Sequence, residues 1–114
     1  METIIRKNRT RQNRGGLKKF HDLPKEHQNI FLEIKNSFCD FLGEKTNLYV
    51  FGSFFWGFWD EKSDYDVLFD YPNNCSNLEI LIETIKKTKD KINNEYNVKA
   101  HIMTMREERG ILIP

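Results

Sequence analysis

The chain has 114 residues, 39% hydrophobic and 31% charged, with a net charge of +1, which is the size and balance of one soluble domain with a single core. No apolar run reaches the roughly 18 residues of a membrane span, and the opening METIIRKNRTRQNRGG has no apolar centre of a secretory signal, so a cytoplasmic protein without a membrane partner is expected. Cys39 and Cys75 form no motif with neighbouring histidines, which excludes a structural zinc site and reads as two free thiols.

The near-neutral total hides an asymmetry. Residues 1–19 carry seven basic side chains (Arg6, Lys7, Arg9, Arg11, Arg14, Lys18, Lys19) against Glu2, a net +6, so the rest of the chain carries −5 of the overall +1. A segment with so few apolar residues cannot offset its ordering entropy by burial. It is therefore read as a flexible basic arm, with the folded domain spanning 20–114. Two uses of the arm stay open: a solvated tail, or a contact to the phosphates of a nucleic acid or nucleotide.

Next along the chain, HDLPKEHQNIFLEIKNSFCDFLG reads as a helix. Pro24 suits its first turn, Ile30, Phe31, Ile34, Phe38, Phe41 and Leu42 recur at helical spacing, and Gly43 stops it. His21 and His27 read as surface or capping residues. NLYVF (47–51) is a short strand ending at Gly52-Ser53, and DYDVLFDY (64–71) is a second. Its period of two puts Asp64, Asp66, Leu68 and Asp70 on one face. PNNC is a turn. Ser76 with Glu79 forms a capping box for a helix to about Asn93, whose buried stripe is expected at Leu78, Leu81, Ile82, Ile85 and Ile92. YNVKAHIMT (96–104) is a third strand, and GILIP adds a short edge strand.

The chemistry concentrates between the first two strands. A Gly-Ser pair at a strand end leaves backbone N–H groups and a hydroxyl facing outward, a ready anion site. Two aspartates on alternate residues of the neighbouring strand can share Mg²⁺, which takes carboxylates together with substrate phosphates. Lys62 stands where it could reach a phosphate. These parts describe phosphoryl or nucleotidyl transfer, with a triphosphate held by Gly52-Ser53 and bridged by metal to Asp64 and Asp66. Between them, FFWGFWDEK holds too many large apolar groups for an ordinary exposed loop. Phe54, Phe55, Trp56, Phe58 and Trp59 either pack a short helix or stack on a base or a partner protein.

FGS followed by SDYDV resembles the signature of the nucleotidyltransferase superfamily of the DNA polymerase beta type, and in particular its minimal nucleotidyltransferases. The resemblance is close over Tyr49 to Phe69 and loose elsewhere, the terminal ERGILI being similar to the last edge strand of such domains. It implies an α+β minimal nucleotidyltransferase fold, a small mixed sheet of three to four strands packed by two main helices. It also implies Mg²⁺-dependent transfer from an NTP, with ATP the expected donor, to a hydroxyl on a protein, an RNA end or a small molecule. Minimal nucleotidyltransferases are often antitoxin partners of HEPN-type toxins, which suggests a protein acceptor.

Two departures qualify the resemblance. Active relatives often carry an arginine or other polar residues after the Gly-Ser pair, where this chain has aromatics. Family members also complete the metal site with a third carboxylate on the next strand, and the matching position in VKAHIM holds His101. Asp70 stands four residues beyond Asp66, roughly 13 Å away at strand rise, and Glu107 or Glu108 would have to fold back. His101 is open to four readings: a neutral metal ligand, a general base, a mark of lost activity, or a strand histidine without a role. The rivals to an enzyme are a lapsed module, binding nucleotide, RNA or protein through the Phe54–Trp59 loop and the arm, and a structural subunit of an assembly.

Overall fold

The computed structural model describes residues 16–70, 77–104 and 110–114. After a 3-10 turn at Phe20–Asp22 come α1 (Lys25–Leu42), β1 (Leu48–Phe51), the five-residue α2 (Gly52–Trp56), β2 (Tyr65–Phe69), α3 (Leu78–Tyr96), β3 (Ala100–Thr104) and β4 (Ile111–Leu112). The strands form one mixed sheet in the order β3-β2-β1-β4. β1 runs antiparallel to β2 and β4, while β2 and β3 are parallel, a pairing that needs a crossover and has α3 for it. The architecture is the expected α+β arrangement of a minimal nucleotidyltransferase fold.

Alternation along the strands sorts the two faces. Leu48, Val50, Tyr65, Val67, Phe69, Ala100 and Ile102 point to the helices and share one core with Ile30, Phe31, Ile34 and Phe38 of α1 and Leu81 and Ile92 of α3. Aromatic rings tie the layers: Phe38 and Phe69 lie 5.0 Å apart between centroids, a spacing at which offset rings attract beyond their buried area. α1 and α3 are also pinned to each other by Lys91, whose Nζ donates to Glu33 Oε1 and Ser37 Oγ, each at 3.0 Å.

The two main helices depart from the expected stripes at one end. Phe41 is 42% exposed, and Leu78 and Ile82 are exposed rather than buried. The buried face of α3 instead includes Thr84 and Thr88, whose hydroxyls donate to the carbonyls of Ile80 and Thr84, so burial leaves no donor unpaired. The helix cap is Asn77, whose Oδ1 accepts from the N–H groups of Glu79 and Ile80; Ser76, expected in that role, lies outside the described residues. α3 runs on to Tyr96, three residues past its expected end, and Asn97 leaves it in the left-handed region at φ 54°. β3 consequently starts at Ala100, whose N–H is held by Asn93 Oδ1 at 2.9 Å.

Residues 16–19, read as part of the arm, belong to the folded body. Leu17 is buried in the core and its N–H donates to Phe55 O at 2.7 Å. Residues 1–15, the turn with Cys75, and Glu107 and Glu108 lie outside the described residues. Cys39 is a free thiol. No helix among the described residues is long and apolar enough to cross a membrane.

These placements distinguish two phenylalanines three residues apart on α1. Phe38→Ala, which empties a fully buried position, is expected to cost about 3–5 kcal/mol in urea unfolding. Phe41→Ala should stay within about 0.5 kcal/mol, as at an ordinary surface position. Equal losses at the two sites would overturn the assigned helix face.

Candidate functional site

The candidate site lies on the sheet face away from the helices, where the end of β1 meets the start of β2. The registers pair Phe51 with Asp66 and Asp66 with His101, so one row of the sheet reads Phe51, Asp66, His101 across three strands. Asp64 stands just ahead of β2, and His101 Nε2 reaches it at 3.0 Å from Oδ2. Asp64, Asp66 and His101 each offer one donor atom, all within 4.8 Å of one another. This is the expected pair of acids, with the histidine drawn in as third member.

Gly52 explains how the acids come so close to the chain. Its φ is +65°, and a Cβ added there would fall on the Asp66 carboxylate, with Cγ 2.7 Å and Cβ 2.8 Å away. Backbone and carboxylate therefore occupy the space that any side chain at 52 would need. Ser53 follows as the second residue of α2 and is half-buried. The helix start carries no side-chain cap hydrogen bond, so its first N–H groups lack a capping side chain.

The electrostatics suit a cation. Burial pushes the Asp66 carboxyl above its ordinary 3.8, His101 pulls it back, and the Asp64 charge pushes it up again. Among the described residues neither aspartate pairs with a lysine or arginine; the partner of Asp64 is His101. Two carboxylates and an imidazole within mutual reach form a donor set that could hold a divalent ion.

Lys62 lies two residues before Asp64. It is exposed on a turn closed by Asp60 and Ser63, where Asp60 N donates to Ser63 Oγ at 2.8 Å and Lys62 N to Asp60 Oδ1 at 2.9 Å. Asp70 stands apart from the cluster and accepts from the Tyr49 hydroxyl at 3.1 Å. In the aromatic segment, Phe54 is core and stacks on Trp59 and Tyr65, with centroids 5.5 and 4.9 Å away. Trp56, by contrast, is 45% exposed, and Phe58 is exposed beside it.

One supporting group was not foreseen. His27, expected at the surface, is largely buried against Phe54, ring centroids 4.9 Å apart, and its Nδ1 lies 2.8 Å from the Tyr65 hydroxyl. Burial lowers the imidazole below its ordinary 6.5, with Glu26 opposing, and the same burial raises Tyr65 to about 12. Nε2 faces Glu26 Oε1 at 3.5 Å, and in the tautomer with its hydrogen there, Nδ1 accepts from the Tyr65 hydroxyl. Tyr65 sits between Asp64 and Asp66, so this bond anchors the residue that separates the two acids. Only a polar residue on an otherwise apolar helix face hinted at it.

A sheet of this order, with a glycine-serine turn at the end of one strand and an Asp-x-Asp on the next, defines the class of minimal nucleotidyltransferases. The chain matches the nucleotidyltransferase domain family over residues 32–110, which is most of its 114 residues, and belongs to that family. No curated protein and no solved structure matches it significantly.

Gly52→Ala should lower stability by about 1–3 kcal/mol, the scale of a residue forced into a sparsely populated backbone region. If the Asp66 carboxylate is what the new methyl meets, adding Asp66→Ala should recover part of that loss. Simple additivity of the two losses in a double-mutant cycle would refute the contact. His27 gives a pH signature. Its folded pKa lies below that of the unfolded chain, so its stabilising contribution is complete above about pH 6.5 and is lost as pH falls through that value towards the folded pKa. Urea midpoints from pH 7.5 to 5.5 should fall more for the wild type than for His27→Gln; parallel curves would contradict the assignment.

Proposed function

We propose that this chain transfers a nucleoside monophosphate from an NTP to a hydroxyl acceptor with the help of a divalent ion. The observation that carries the reading is the cluster of Asp64, Asp66 and His101, a donor set that could hold a divalent ion, packed against the glycine-serine turn through the contact of Gly52 with Asp66. Asp64, Asp66 and His101 would hold the ion, Gly52 and Ser53 would receive the triphosphate, and Lys62, from its exposed turn, would swing towards the outer phosphates. When bound, the ion supplies Lewis-acid polarisation at the α-phosphate and offsets the charge that develops there. In the transfer, the acceptor oxygen bonds to the α-phosphorus, the bond to the bridging oxygen of the β-phosphate breaks, and pyrophosphate leaves as the hydroxyl proton passes to water. The chain's part is positioning: the rigid strand pair holds both carboxylates in one place while the substrate groups come together.

ATP as donor, a protein hydroxyl as acceptor and an antitoxin role are the finer form of this proposal. Exposed Trp56 and Phe58 support a protein acceptor, because aromatic side chains at a surface are common anchors of a partner. The basic arm offers a second contact, to phosphates.

A second reading, a lapsed module that binds a partner without catalysis, is favoured by one observation: an imidazole occupies the place opposite Asp66 where relatives carry an acid. Incubation with α-labelled ATP, a divalent ion and candidate acceptors separates the two. Catalysis predicts label on the acceptor, reduced at least about hundredfold by Asp64→Asn with Asp66→Asn, the scale on which positioned charge acts in active sites. Failure to label any acceptor, with partner capture unaffected by that double variant and weakened by Trp56→Ala, would favour the module.

A further inference from the structure

We propose that the dication site of this chain selects first-row transition ions such as Mn²⁺ over Mg²⁺, because His101 supplies a nitrogen ligand where an oxygen is usual. The inference takes its location from the nucleotidyl-transfer reading and adds the identity of the ion.

The parallel register brings His101 directly beside Asp66, and its Nε2 leans along the sheet to within 3.0 Å of Asp64 Oδ2. The ring therefore stands between the two acids rather than turned away from them. The side chains of His101 and Asp64 are 46% and 41% exposed, so an ion can reach them without opening the core. A separation of 3.0 Å is also roughly that of adjacent donors around a six-coordinate ion with bonds of about 2.1 Å. A dication between Nε2 and Oδ2 would be met by the lone pair of Nε2 in the ring tautomer that carries its hydrogen on Nδ1.

Two terms then act in the same direction. Mg²⁺ binds oxygen, demands near-ideal octahedral geometry and gives up its water reluctantly, whereas imidazole nitrogen favours first-row transition ions. Replacing a carboxylate by a neutral imidazole also removes one negative charge, so two remain to attract the ion. Mg²⁺, held mainly by charge, is weakened by that loss and gains little from the nitrogen. Mn²⁺ and later ions recover part of it through the Nε2 lone pair.

The test uses the full untagged chain, with Mn²⁺ and Mg²⁺ as the probes. Mn²⁺ binding is followed through the loss of the free-ion EPR signal, Mg²⁺ by competition, and the ligand by ¹⁴N coupling to bound Mn²⁺ in pulsed EPR. The wild type should show ¹⁴N coupling and resist displacement by a large excess of Mg²⁺. His101→Ala should lose the coupling and weaken Mn²⁺ about tenfold to hundredfold, the range seen when a metal site loses one support. His101→Asp should lose the coupling and shift the preference towards Mg²⁺, a gain that a misfolded variant cannot produce, while His21→Ala should behave as wild type. Absence of ¹⁴N coupling in the wild type, or an unchanged Mn²⁺ preference in His101→Asp, would overturn the proposal. Nitrogen coupling without nucleotidyl transfer strikes the catalytic reading alone, and transfer without nitrogen coupling strikes only this one.

Discussion

The contact on which the rest of the site depends is that between the Asp66 carboxylate and the bare α-carbon of Gly52. It fixes the distance between the end of β1 and the acid on β2 at a value no side chain allows. From that distance follow the half-burial that raises the Asp66 pKa and the closeness of Asp64 and His101. Two carboxylates so near each other are a cost to the folded chain alone. The cost becomes an attraction once a cation is shared between them, so a feature that weakens the fold strengthens the site.

The aromatic segment turns out to divide its labour. Phe54 is the floor of α2: it stacks on both Trp59 and Tyr65, and His27 locks the phenol from α1. The helix that carries the glycine-serine turn is thus attached to the same residue that spaces Asp64 from Asp66. Leu17 adds a tie from the other side through the Phe55 carbonyl. A five-residue helix has little stability of its own, and these packing contacts are what hold it in place. The side chains of Trp56 and Phe58 are exposed, while the Phe58 N–H closes the end of the helix on the Ser53 carbonyl at 2.8 Å.

Much of this was legible in the residues and their order. Periodicity located α1, and the alternation of DYDVLFD placed Asp64 and Asp66 on one face, because both patterns are local. What failed to show was what requires two segments at once. Phe41, Leu78 and Ile82 fit a helical stripe but lie near the C-terminal end of α1 and the N-terminal end of α3, so periodicity overstates their burial. Thr84 and Thr88 were missed for the opposite reason: a hydroxyl that bonds its own helix is free to enter a core that a hydropathy pattern reserves for apolar groups. Asn77 and Ser76 are adjacent and both of capping type, so composition could not rank them. The fit of Gly52 against Asp66 needs the β1–β2 register, and the bond between His27 and Tyr65 spans 38 residues.

The position of β3 has a further meaning. Among the described residues it is an edge strand, paired with β2, and His101 lies exposed on it, its ring reaching along the sheet to Asp64. Position 101 is therefore weakly coupled to folding, whereas a side chain at 52 must displace the Asp66 carboxylate. A protein built this way keeps two of its donors as part of the architecture and leaves the third as an exchangeable fitting. One substitution on the free edge can then retune which ion the site accepts, or retire it, while the sheet beneath stays as it was.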